Sequence, residues 1–113
     1  MKTADLYKDL EYNPKKPLIN VLFETDFTKE IRIAMQEGTQ MKEHKTSFPI
    51  VVQVIEGVID FGVNNEVLHL KKGNLIALEP SVPHNLKALE NSVVRLTLTK
   101  NDEVTRVKEV INT

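Results

Sequence analysis

The feature that most constrains the fold is a two-residue alternation of apolar and polar side chains, repeated in short segments. In EIRIAM, Ile31, Ile33 and Met35 alternate with more polar neighbours, which predicts a half-buried β-strand. PIVVQVIEG, residues 49–57, is instead a continuous run of β-branched residues closed by Gly57. Such a run is typical of a strand that is covered on both faces.

Turn-forming residues separate these segments at short and fairly regular intervals. Strands are also predicted for VIDFGV, VLHLKKGN, NLIALEP and NSVVRLTLTK, and LINVLFETDF is read as an early strand pair. Many short strands with this spacing favour an all-β sandwich or barrel over alternating strands and helices. Within VLHLKKGN, His69 lies on the polar side of the alternation and is predicted to be a surface residue. Arg32 and Arg95, which belong to two other predicted strands, are predicted to lie at the surface as well.

The two ends of the chain follow a different pattern. ADLYKDLEY has Leu6 and Leu10 four residues apart, which fits a helical turn or two. DEVTRVKEVI spaces Val104, Val107 and Ile111 as a helix would, although its β-branched residues also suit a strand.

Composition excludes several classes of protein. With 113 residues, the chain is expected to form a single domain over 1–113. The 15 Lys and Arg residues nearly balance the 16 Asp and Glu residues, which argues against binding to nucleic acid or to an anionic membrane. No apolar run approaches the roughly 20 residues of a membrane helix, and the charged N-terminus does not resemble a secretory signal. Because the chain has no cysteine, it has no thiolate ligand or nucleophile, and a cytoplasmic location fits.

Two glycine- and histidine-containing segments resemble the motifs of the cupins. The first motif, G-x5-H-x-H-x3-E-x6-G, aligns without a gap from Gly38 to Gly57, with His44 at the first histidine position. Thr46 replaces the second histidine, and Ile50 replaces the glutamate. The resemblance extends over roughly residues 31–98 and implies a jelly-roll barrel (double-stranded β-helix) with short non-barrel segments at both ends.

The second motif, G-x5-P-x-G-x2-H, aligns from Gly73 to His84. Glu79 replaces the proline and Ser81 replaces the glycine, while the spacing is intact. In cupins with a complete ligand set, three imidazoles and a carboxylate bind a divalent ion such as Fe, Mn, Ni or Zn. The resemblance therefore implies a degenerate metal site here, with His44 and His84 as the remaining ligands.

Two neutral histidines fall short of the three protein ligands usual at catalytic metal sites. Glu79 could complete the set if its loop folds back over the barrel mouth. Alternatively, His44 and His84 form a hydrogen-bonded pair in a polar pocket that holds no metal.

Three functions follow from this resemblance. The first is the binding of a small molecule in a pocket lined by six residues: His44, Thr46, Ile50, Val52, His84 and Leu86. The second is a metal-dependent enzyme, such as a dioxygenase or isomerase, that uses His44 and His84. The third is a metabolite-sensing module that acts through another protein. The family resemblance also implies a homodimer, with contacts through residues 51–55 or 21–23.

Overall fold

A computed structural model describes residues 1–100, which form nine strands in two antiparallel sheets. The strands are β1 (Leu18–Glu24), β2 (Thr28–Met35), β3 (Gln40–His44), β4 (Ile50–Glu56), β5 (Val58–Val63), β6 (Glu66–Lys71), β7 (Leu75–Leu78), β8 (His84–Ala88) and β9 (Ser92–Thr99). Across this part of the chain, no helix has the length and apolar character to span a membrane. The all-β prediction is confirmed, whereas the interpretation of DEVTRVKEVI concerns residues outside the described range.

The two sheets face each other as the layers of a jelly roll. One sheet has the strand order β1-β2-β9-β4-β7 and the other has the order β3-β8-β5-β6. Neighbours in these sheets are often distant in sequence, as in the pairs β2–β9 and β3–β8. Chain reversals of this kind bring the ends of distant segments to the same end of the sandwich.

The core lies between the inner faces of the two sheets. Ile50, Val52 and Val54 of β4 are buried there, opposite residues such as Phe61 of β5. The alternate residues of β4, at positions 51, 53 and 55, are only half-buried. The prediction that β4 is covered on both faces was therefore wrong, because only the inner face meets a second sheet.

The N-terminal segment packs on the outer face of the five-stranded sheet. Its residues form turns, with hydrogen bonds from the Lys8 amide to Asp5 and from the Leu10 amide to Tyr7, but no helix. The Arg32 guanidinium donates to the backbone oxygens of Leu6 (3.0 Å) and Lys8 (2.8 Å) and is only 4% exposed. The predicted surface position of Arg32 was wrong because this segment covers it.

Glycines at three motif positions adopt backbone conformations that disfavour other residues. Gly38, Gly57 and Gly73 have φ values of 89°, 92° and 91°. A β-carbon is strained in this region, which explains why glycine occupies the corners between strands. Ser81, at the position where the second cupin motif has glycine, also has a positive φ, of 64°. The backbone conformation expected of the motif is thus kept although the glycine is lost.

Candidate functional site

Strand pairing brings the two motif histidines into contact. In the ladder between β3 and β8, His44 lies directly opposite His84, forty residues later in the chain. The centroids of their imidazole rings are 4.3 Å apart, and the ring planes meet at 61°. The structure therefore places side by side the two residues that the sequence selected as candidate metal ligands.

Both imidazoles are oriented by the backbone in the same way. His44 Nδ1 lies 2.8 Å from the Lys42 carbonyl oxygen, and His84 Nδ1 lies 2.9 Å from that of Val82. Since a carbonyl only accepts, each Nδ1 must donate, which leaves Nε2 of the neutral ring as an acceptor. Neither Nε2 has a hydrogen-bond partner among residues 1–100.

The Nε2 atom of His84 nevertheless reaches solvent. His84 as a residue is only 3% exposed. Within residues 1–100, however, the single fully buried side-chain polar atom without a partner is Nε of Arg32. Nε2 of His84 is therefore not completely buried, although the residue as a whole has little contact with solvent.

A buried aromatic side chain, which the sequence did not identify as part of the site, packs against one ring of the histidine pair. Phe61 of β5 is fully buried and stacks on the His84 ring, with centroids 5.6 Å apart and an interplanar angle of 7°. Burial lowers the pKa of His84, and the nearby His44 ring lowers it further, while the hydrogen bond to Val82 acts in the opposite direction. His84 is therefore neutral at pH 7, with Nε2 available as an acceptor. The sequence predicted a strand at VIDFGV but gave no signal for the contact of Phe61 with His84.

The other predicted lining residues have different environments. Ile50, Val52 and Leu86 are between 2% and 4% exposed and belong to the packed core. Thr46 lies outside the strands, where its hydroxyl donates to the Phe48 carbonyl oxygen at 2.9 Å. The backbone oxygen of Thr46 accepts from the Ser81 amide at 2.7 Å, which joins the two motif loops.

A groove opens at the barrel end that carries the histidine pair. Its volume is about 280 Å³, and it is lined by Glu24, Lys29, Thr46, Ser47, Phe48, Leu98, Thr99 and Lys100. The groove begins two residues after His44, at the loop that leads into β4. Hydrogen bonds from the Thr99 hydroxyl to Pro49 and from the Lys100 amide to Phe27 hold its walls together.

The described residues do not supply a three-ligand metal centre. Between residues 1 and 100, no group of three His, Cys, Asp or Glu side chains is placed to hold an ion. Glu79 is exposed, and Ile50, at the position of the family carboxylate, offers a buried hydrocarbon. Two neutral imidazoles without an anionic ligand do not fit the donor set of a catalytic divalent metal.

Comparison with known proteins agrees with this architecture. A family model described as the AraC-like ligand binding domain matches residues 29–100. No curated protein matches the chain by sequence.

Solved structures of cupins share the fold at low sequence identity. An RmlC-like cupin from Desulfovibrio desulfuricans superposes with a TM-score of 0.80 at 19% identity, covering 88% of this chain and 96% of that one. A cupin superfamily protein from Desulfitobacterium hafniense has a TM-score of 0.70 at 12% identity, with coverages of 81% and 84%. KdgF from Halomonas sp. has a TM-score of 0.69 at 17% identity, with coverages of 81% and 87%. These likenesses confirm the predicted cupin jelly roll.

Proposed function

Because the chain belongs to the family of AraC-like ligand binding domains, we propose that it binds a small molecule at the barrel end that carries His44 and His84. The observation that carries the proposal is the contact between the two rings, each anchored through Nδ1 with Nε2 left unpaired within residues 1–100. Two oriented acceptors beside an apolar wall are the arrangement by which ligand pockets fix a small molecule.

The chemistry of the pair defines what such a ligand must offer. Nε2 of neutral His84 accepts a hydrogen bond, so the ligand should present a hydroxyl or N–H donor. Phe61 holds the His84 ring by stacking, and the carbonyl of Val82 fixes its rotation. A ring that is positioned in advance loses little conformational entropy when the ligand binds.

NMR titration with a library of small molecules tests this proposal. A ligand should shift the ring resonances of His44 and His84 and leave those of His69, which is exposed on another face, unchanged. The double variant His44→Ala/His84→Ala should abolish binding, whereas the matched control His69→Ala should retain it. If ligands shift only His69, or bind the double variant as tightly as the wild type, the proposed site is wrong.

A metal-dependent enzyme is the second candidate. Residues 1–100 offer it only two imidazole ligands and no three-ligand centre, but one observation favours it. Histidines that bind metals through Nε2 commonly donate Nδ1–H to a backbone carbonyl, as both histidines do here. Metal analysis of protein purified without an affinity tag separates the two functions. Stoichiometric metal that is lost in His44→Ala/His84→Ala would favour the enzyme. A wild-type protein that neither carries nor takes up Fe, Mn, Ni or Zn would favour ligand binding alone.

A further inference from the structure

Among residues 1–100, the groove at the same barrel end as the histidine pair has an uncompensated positive charge. Its lining includes two ammonium groups, of Lys29 and Lys100, against one carboxylate, of Glu24. The Lys100 ammonium lies 3.6 Å from Glu24 and also donates to the Thr25 carbonyl oxygen. The lining contributed by residues 1–100 thus has one net positive charge, and the pairing of Lys100 with Glu24 leaves that charge on Lys29.

Lys29 has no counter-ion in the part of the chain that the structure describes. It lies opposite Glu24 on one side and Leu98 on the other, yet the only ion pair of Glu24 within residues 1–100 is with Lys100. Lys29 is partly buried. The Lys29 Nζ atom is not among the fully buried unpaired atoms of residues 1–100, so it reaches solvent, and an anion beside it would gain the stabilisation of a partly exposed ion pair.

The remaining walls of the groove are largely apolar. Phe48 is partly buried, and Leu98 packs against the hydrophobic core as the register partner of Ile50. A volume of about 280 Å³ is at the small end of ligand pockets, which begin near 300 Å³. The groove therefore suits a compact ligand that has an apolar body and one charged end.

We infer that the ligand of this site is a small monocarboxylic acid that also carries a hydroxyl group, with its carboxylate paired to Lys29, its apolar body against Phe48 and Leu98, and its hydroxyl left to donate to the histidine pair. This inference rests on the proposed function, since the groove begins two residues after His44 and opens at the same barrel end. A single uncompensated positive charge matches one carboxylate, whereas a dianionic phosphate would leave a negative charge unpaired in a partly apolar groove.

Three aromatic probes of similar size test the charge requirement. Benzoate should bind, and its binding can be followed by the backbone amide resonances of residues 46–48. The neutral isostere benzamide should bind about tenfold more weakly, a factor that corresponds to a difference of 1.4 kcal/mol in binding free energy. Phenyl phosphate should bind more weakly than benzoate. This comparison uses only the wild-type protein, so it does not depend on the folding of any variant.

Two lysine variants then assign the effect to one residue. Lys29→Met should weaken benzoate binding by about fivefold to tenfold, in line with a charged hydrogen bond in a partly exposed site, and should leave benzamide unaffected. Lys72→Met is the matched control, because it removes an exposed lysine from the turn between β6 and β7 and should leave both affinities unchanged.

The outcomes separate this inference from the function on which it rests. Equal binding of benzoate and benzamide, tighter binding of phenyl phosphate, or an unchanged benzoate affinity in Lys29→Met would each overturn the carboxylate assignment. If library ligands still bind in a manner that depends on His44 and His84, the proposed function survives that result. The probe 4-hydroxybenzoate adds the hydroxyl that the histidine pair requires. If it binds through Lys29 and leaves the imidazole resonances of His44 and His84 unshifted, the acid site lies away from the histidine pair and the deepened proposal is overturned.

Discussion

Replacing Gly57 with alanine should be among the most destabilising single substitutions in this chain. Gly57 ends the first cupin motif and forms the corner between β4 and β5. A β-carbon at this position would lie 2.1 Å from Ser92 Oγ, 2.6 Å from the Asn91 carbonyl oxygen and 2.7 Å from Ser92 Cα. Two of these three atoms belong to the backbone, so rotation of a side chain cannot relieve the overlap.

The expected magnitude combines three effects. A positive φ of 92° costs a residue with a side chain about 1–2 kcal/mol. Overpacking of a filled interior costs about 1–3 kcal/mol. The Ser92 hydroxyl accepts from the Val58 amide at 3.1 Å and donates to the Glu90 carbonyl oxygen at 2.8 Å. Displacing this hydroxyl would leave partly buried groups unpaired, at a cost of about 1–3 kcal/mol. The total of about 3–8 kcal/mol is a large part of the roughly 5–15 kcal/mol that stabilises a typical domain.

Gly38→Ala is a matched control, because its φ of 89° is nearly the same and a β-carbon there would meet no atom within 4 Å. Only the conformational cost of about 1–2 kcal/mol should remain. Urea unfolding, followed by far-UV circular dichroism, measures the stability of both variants. The shift in the midpoint urea concentration is converted to a change in unfolding free energy on the assumption that the dependence of this free energy on urea is the same for both. Adding Ser92→Gly to Gly57→Ala should recover little stability, since the backbone contacts persist. Equal losses in Gly57→Ala and Gly38→Ala would refute the close-approach argument.

Three further predictions concern other parts of the molecule. Because burial lowers the pKa of His84, the unfolded chain binds its proton more readily, and stability should fall as the pH drops below about 6.5. Urea titrations at about pH 7.5 and about pH 5 should show a larger loss in the wild type than in His84→Phe, and equal losses would contradict this mechanism. Arg32→Met removes the guanidinium that binds the N-terminal segment, so amide hydrogen exchange at residues 5–10 should accelerate while the two sheets stay protected. An unchanged exchange rate at residues 5–10 would argue against the anchoring role of Arg32. Ile19 and Val21 on the edge strand β1 are 56% and 55% exposed, so we expect two copies of the chain to associate through this strand. Light scattering should show a dimer for the wild type and a monomer for Ile19→Lys/Val21→Lys. A monomeric wild type would disprove this expectation.

The strands with clear apolar alternation could be identified from sequence, whereas two others could not. β8 has inward-facing His84, Leu86 and Ala88 and follows a proline-containing loop, so its apolar signal is weak. β3 is a polar segment whose pairing with β8 is interrupted by a bulge. Both strands exist because their backbones complete a sheet, and this long-range hydrogen bonding is not encoded in local side-chain periodicity.

The candidate site was likewise only partly predictable. The spacing of the two motifs identified His44 and His84, and the structure brings their rings together. The contact of Phe61 with His84 and the position of Lys29 in the groove depend on register between strands that are far apart in the sequence. The expectation for Arg32 failed for the same reason, because the segment that buries it lies outside its own sheet.

By itself, the sequence determined where the chain turns and which apolar residues of the clearly alternating strands face the interior, because apolar alternation and glycine conformation are local properties. The tertiary structure decided which of these residues meet: the two imidazoles across the β3–β8 ladder, and Lys29 beside Leu98 at the barrel mouth. The physical reason is that a one-residue change in register moves every side chain of a strand to the opposite face. Such a register is fixed only when all the strands pair and the core closes.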